Sequence, residues 1–341
     1  MASAIFVRSP RIITVTGSVN DTIVLELYIW NSPSSIPGTP TYTLTKTIPT
    51  TLIGEASFNI SEFCREYIDM TVYSEVTTDT AVGVDEYCYC SAYAYIGKTL
   101  QTIYEFICFD GYGYHSSGYN PSYSGVFMDS GNYYVQSSGN SGGVTYFDGD
   151  SATWESKYTG LISGGVTTTT LVNTVGRVPY INPSYINEGN KLEMLRNSVV
   201  IATYYFYPQE ECKYEPINCD FVNKQGVWQR LVFFKASKSS LSMTNTEYNL
   251  MPESLNYSLE KNVRQVFNVN ASESITCNTG WVYEAYSDVM KQLELSEEIR
   301  LDDIPVILDT KSINLQKNIN DKNINYEITF RYSAPVLNYN I

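Results

Sequence analysis

Alternation of apolar and polar positions runs through most of this chain and predicts strands. In DTIVLELYIW (21–30), Ile23, Leu25, Leu27 and Ile29 alternate with Val24, Glu26, Tyr28 and Trp30, which is the two-residue period of a strand with one apolar face. NSPSSIPGTP (31–40) follows, and its prolines and glycine break the pattern into a turn-rich connection. TYTLTKTI (41–48), YCYCSAYAYIG (87–97) and LQTIYEFICFD (100–110) supply further strands. One short helix is expected after Asn59-Ile60-Ser61. Ser61 is placed to cap it, and Phe63, Tyr67 and Ile68 lie on one side. Strands separated by turn signals, with almost no helix, predict a β-sandwich domain over residues 1–110.

Residues 111–205 read differently. DGYGYHSSGYNPSYSG and QSSGNSGG carry little apolar periodicity and predict long surface loops. Short strands are expected at GNYYVQS, VTYFDGD, TWESKYTG and VTTTTLVNTV, forming a small β unit. Tyr, Ser, Gly and Asn dominate adaptable binding loops, which makes Tyr112, Tyr114, Tyr119 and Tyr123 candidate contact residues. A flexible insertion without a ligand is the plain alternative.

The last segment, 206–341, predicts an α+β domain. CDFVNKQGVWQRLVFF reads as a hairpin turning at Asn223-Lys224-Gln225-Gly226. The main helix is expected from near Trp281, with Val282, Tyr286, Val289, Met290 and Leu293 on its apolar stripe. INYEITFRYSA closes the chain with a strand that sets Ile324, Tyr326, Ile328, Phe330 and Tyr332 against Asn325, Glu327, Thr329 and Arg331. The fold class is therefore mainly β: one or more N-terminal β-sandwich units, then a C-terminal α+β domain with one main helix.

Composition adjusts this picture in three ways. The 30 tyrosines suit sheets with half-wet faces, because the ring adds apolar area while the hydroxyl stays hydrated. A net charge of −14 without any basic tract argues against nucleic acid or an anionic membrane surface as partner. No apolar run reaches bilayer length, so no membrane insertion is expected. The start, MASAIFVRSPRIITV, lacks a basic segment followed by an apolar one, so synthesis in a cytoplasm is expected. The seven cysteines (Cys64, Cys88, Cys90, Cys108, Cys212, Cys219 and Cys277) are odd in number and irregularly spaced, which suits packed thiols. On that reading the Asn-x-Ser/Thr sequons at Asn20, Asn59, Asn256 and Asn270 are chance matches.

Catalytic constellations are sparse. His115 is the only histidine and lies in the Gly/Tyr/Ser loop, with no nucleophile elbow to accompany it. Cys88-x-Cys90 lies on an alternating strand and does not resemble a zinc ribbon. Asp148-Gly149-Asp150 does not continue into a calcium loop, and Glu105, Asp110, Asp148 and Glu155 are ordinary acidic residues at strand ends. No phosphate-binding or dinucleotide motif occurs. The reading is of a protein that is not an enzyme and uses no cofactor.

The segments CDFVNKQGVWQRLVFFKASK, WVYEAYSDVMKQLELSEEIRL, IPVILDTKS and INDKNINYEITFRYSA resemble uncharacterised virion structural proteins of tailed bacteriophages. The likeness is to tail and baseplate proteins of phages infecting Bacteroidota and marine hosts. FVRSPRIITV, IVLELYIWN, PTYTLTKTIP and FNISEFCREYI resemble the opening domain of the same family. The resemblance implies a virion component of the tail, baseplate or neck region, made in the host cytoplasm. It implies a homo-oligomeric ring in contact with other virion proteins. Trp228, Phe233 and Phe234 then stand as core or interface anchors and Arg230 as a polar interface contact. Loops 111–145 would reach a neighbour or a host surface glycan. A glycan-binding or adhesin module using the Tyr- and Trp-rich loops is the alternative function.

Overall fold

The computed structural model describes residues 3–31, 35–48, 54–70, 73–120, 125–128, 133–137, 142–209, 213–251, 255, 256, 258, 260, 263–283, 286–309, 323–334 and 336. Strands β1 (Ser3–Phe6), β2 (Ile12–Thr16), β3 (Thr22–Trp30), β4 (Tyr42–Thr47) and β5 (Glu55–Asn59) come first. Helix α1 (Ser61–Arg65) leads to β6 (Thr80–Ala81), β7 (Tyr87–Ile96) and β8 (Thr99–Phe109). After the short helix α2 (Tyr114–Ser117) come β9 (Tyr133–Ser137), β10 (Gly143–Phe147), β11 (Trp154–Gly160) and β12 (Val166–Thr170). Then come β13 (Val175–Pro179), β14 (Asn190–Arg196), β15 (Val199–Gln209), β16 (Ile217–Val222) and β17 (Trp228–Phe233). The remaining elements are β18 (Lys238–Asn249), β19 (Arg264–Tyr283), helix α3 (Tyr286–Glu294), β20 (Ile299–Leu301), β21 (Ile304–Leu308) and β22 (Asn323–Tyr332). The fold is mainly β, with 55% strand against 7% helix.

The chain divides into two compact units. The first comprises residues 1–210, 220–231 and 285–297, and the second 211–219, 232–284 and 298–341. The chain leaves and re-enters each unit, so no single cut along the sequence separates them.

In the first unit, β1-β8-β7-β3-β4 form a sheet in which β1 runs parallel to β8 and the other neighbours are antiparallel. The alternation of β3 sends Ile23, Leu25, Leu27 and Ile29 into the core, as its period requires. They meet Ile13 and Val15 of β2, Ala56 and Phe58 of β5, and Cys64 of α1, the paired ribbon β2–β5 acting as the facing layer. Each buried Ile, Leu, Val or Phe here contributes roughly 1.5–3 kcal/mol by leaving water. Cys88, Cys90 and Cys108 lie in the same core as free thiols, with Cys88 directly opposite Cys108 in the ladder. Burial pushes the Cys108 thiol well up. A second core gathers Phe6, Phe109, Phe127, Phe147, Val175 and Val227.

The sheets β10-β13-β6 and β12-β11-β14-β15-β9 complete this unit. Their tyrosines are largely interior. Tyr158, Tyr204 and Tyr146 are buried with their hydroxyls donating to Pro179 O (2.8 Å), Met128 O (2.6 Å) and Asp79 Oδ1 (2.9 Å). A buried phenol needs such a partner, so these rings fill the sheet without leaving a polar atom stranded.

Both expected helices shift. Ser61 does not cap α1, because its hydroxyl donates to Ser9 O and accepts from Arg11 N, both at 2.7 Å. The C-terminal helix begins at Tyr286, not near Trp281. Trp281 and Val282 extend β19, paired with Asn325 and Ile324 of β22, and Trp281 faces solvent. Ladder hydrogen bonds override the helical spacing there. α3 still buries Tyr286, Val289, Met290 and Leu293, but it belongs to the first unit.

The second unit is a sheet of β20-β21-β22-β19-β18, with the first half of β16 beside β20. Asn218 N donates to Asp302 Oδ1 and Asp302 N to Asn218 O, both at 2.9 Å. Its interior holds Phe233 against Phe330, Cys277, Ile328 and Val306. β22 keeps the predicted alternation, with Tyr326, Ile328 and Phe330 buried. Among the described residues no helix is long and apolar enough to cross a membrane.

Candidate interaction surfaces

The β16–β17 hairpin forms where its turn residues demand it. Asn223 N bonds Val227 O, Gly226 N bonds Asn223 O, and Gly226 takes a φ of +78°. The same symmetry brings Asp220 across from Arg230, whose Nε and Nη2 donate to the two carboxylate oxygens at 2.6 and 2.8 Å. Arg230 lies 4.8 Å from the centre of the Tyr73 ring, and Arg177 lies 5.1 Å from it. Arg177 in turn pairs with Glu86 and donates to Thr145 Oγ1 (3.1 Å). Burial lowers the Arg230 pKa, but its bonds and attraction to Asp220 outweigh that and leave it raised. Burial also pushes the Tyr73 phenol up to about 12, so the ring stays neutral between its two cations. Two guanidiniums and two carboxylates thus satisfy one another inside the first unit.

This geometry redefines the anchors expected at an interface. Trp228, Phe233 and Phe234 are each 1% exposed and Arg230 4%, so none has area left to offer a neighbour. They are core residues, the alternative open to each from sequence. Of the loop tyrosines, Tyr119 is 62% exposed and Tyr114 is also at the surface, next to the exposed His115. Tyr112 is half-buried and its N–H donates to Lys224 O at 2.9 Å. Tyr123 lies outside the described residues. Asp148 Oδ1 accepts from Ala152 N (3.1 Å), while Asp150 pairs with Arg196. Among the described residues no group of three or more His, Cys, Asp or Glu is arranged to hold a metal ion.

Two further surfaces expose aromatic and apolar side chains. On the outer side of β3 and β7, Trp30 stacks on Tyr89 (5.5 Å, 15°) and Tyr28 leans on Tyr93 (4.9 Å). Tyr28 Oη donates to Glu26 (3.1 Å), and Tyr28, Tyr89, Tyr93 and Trp30 are all partly exposed. This is the polar-looking half of the β3 alternation, legible as a Tyr/Trp face once β7 is known to lie beside it.

The other surface is a β-ribbon. β22 pairs with β19 only from Ser274 to Tyr283, whereas β18 runs along β19 from Arg264 to Thr276. Val336 N bonds Ala271 O (3.3 Å) just beyond β22; outward of that the hairpin is two strands without a further neighbour among the described residues, and all twelve residues of β18 are exposed. Met243 is 66% and Phe267 50% exposed, with Leu241, Val266 and Tyr248 also at the surface. The sequence KSSLSMTNTEYN hides this strand because its polar residues sit on both faces and no core imposes alternation. Its β-branched partner run, RQVFNVNASESIT, carried the available signal.

The chain matches no protein-family model and no curated protein by sequence.

Proposed function

We propose that this protein is a structural component of a phage virion, from the tail, baseplate or neck region, made in the host cytoplasm and assembling with itself and with other virion proteins. The observation that carries the assembly half of this reading is the β18–β19 ribbon. An isolated two-stranded ribbon is marginal in water, and this one exposes apolar side chains and, among the described residues, a long unpaired edge. Such an element gains most of its order from a neighbour. The resemblance of residues 219–238 and 281–301 to virion structural proteins supports the setting. Light scattering on the purified chain is expected to give a ring of defined copy number, and cryo-EM of native particles a ring at the tail or neck. A monodisperse species of 38.5 kDa at high concentration, with no copy in intact particles, would overturn the proposal.

A second reading, recognition of a host surface glycan, draws support from the aromatic face of β3 and β7. Partly exposed rings beside a carboxylate are suited to stacking on sugar rings and accepting their hydroxyls. On a glycan array, binding is expected to fall at least tenfold in Trp30→Ala and to survive Tyr114→Ala/Tyr119→Ala, which changes only exposed loop rings. Silence of the unaltered protein on the array removes this second reading.

A further inference from the structure

Assembly leaves open which surface joins the copies, and the exposed ribbon supplies one. We propose that β18 is a self-association edge, pairing antiparallel with β18 of a second copy of this chain; this seam rests on the assembly reading, under which copies associate at all. β18 is the last strand in the sheet order, so one of its two edges has no neighbour among the described residues. At about 3.4 Å per residue, twelve residues offer an edge about 40 Å long. The devices that protect natural edges are missing from it. It has no proline and one lysine, Lys238, at its first position. The one local distortion falls on the inner strand, where β19 spends an extra residue at Asn268 (φ +51°) and β18 stays regular.

Charge selects a second copy over a charged partner. The chain carries a net −14, and that repels its own copies over most of the surface. β18 holds Lys238 and Glu247 alone, a net of zero, so two copies can meet there without that penalty. A two-fold axis at Met243 sets Lys238 opposite Tyr248 and Ser239 opposite Glu247, with no like charges facing. Ser240 then faces Thr246 and Ser242 faces Thr244, hydroxyl pairs that stabilise antiparallel ladders. Leu241 and Met243 of the two strands gather on one face of the resulting four-stranded ribbon. The contact is closed by its own symmetry, giving a dimer from which a larger assembly can be built.

The test compares the full-length chain with Leu241→Lys/Met243→Lys by sedimentation equilibrium. Both side chains are exposed, so the variant should still unfold cooperatively, with a Tm lowered only by the lost association, while four added positive charges meet at the seam. Association is expected to weaken at least tenfold, and the mass to fall to half or less of the unaltered value. A variant that keeps its assembled mass would overturn the β18 seam while leaving assembly itself intact. A monomeric unaltered chain sinks both. Register is read separately from Met243→Cys with oxidised glutathione, which takes up the two electrons and two protons released as the intermolecular disulfide forms. A covalent dimer is expected on a non-reducing gel, whereas Ile162→Cys, exposed in the first unit, should give none. No dimer from Met243→Cys, in a chain that still associates, would overturn the two-fold at Met243.

Discussion

Replacing Asp220 with alanine is expected to destabilise the first unit by about 3–5 kcal/mol, as for other buried pairs that lose one partner. Arg230 is fixed by its bidentate bonds to Asp220 and has almost no solvent contact. Without that carboxylate only Glu75, 4.0 Å away and largely in solvent, remains to oppose a charge held in a low-dielectric interior beside Tyr73 and within reach of Arg177's field. The loss is a large share of a typical domain stability of about 5–15 kcal/mol. Urea unfolding followed by tryptophan fluorescence measures it, since Trp228 lies on the same hairpin. Asp220→Leu/Arg230→Met should recover most of the loss, because removing both charges removes the desolvation cost together with the attraction. If Asp220→Ala and the double variant proved equally unstable, packing and not the unpaired charge would be responsible.

Gly226→Ala is the second large effect, expected at about 2–5 kcal/mol. A left-handed φ of +78° costs an alanine roughly 1–2 kcal/mol, and overpacking adds roughly 1–3. The space is the deciding factor here. A Cβ at Gly226 would lie 2.3 Å from both the Asp110 carbonyl carbon and Gly111 N, which are backbone atoms and cannot rotate away. Gly97 is the control: its φ is +60°, but no atom lies within 4 Å of the Cβ position. Gly97→Ala should therefore show the conformational cost alone, about 1–2 kcal/mol. Equal losses at the two sites, by thermal or urea unfolding, would mean that the β16–β17 turn does not press on the end of β8.

The hairpin shows how far local reading reaches. Its turn at Asn223–Gly226 was legible, and counting outward from the turn pairs Asp220 with Arg230, so even that ion pair was available from sequence. Tyr73, Glu86 and Arg177 were not, because they arrive from elements more than forty residues distant and no periodicity links them. The helix after β19 shows the opposite limit. Val282, Tyr286, Val289, Met290 and Leu293 satisfy a helical stripe, yet Val282 is held in a ladder by Ile324, a partner that local spacing cannot reveal.

By itself the sequence determined the mainly β character, the inward set of β3 and β22, and the turn of the β16–β17 hairpin. Each arises from interactions within a few residues: alternation of the pleat, glycine at a positive φ, and the turn residues that flank it. Only the tertiary structure decided that the expected anchors are interior, that the chain weaves between two units, and that β18 and β19 stand out as an exposed ribbon. Burial is a property of what lies across a sheet, and the opposing residues come from far along the chain.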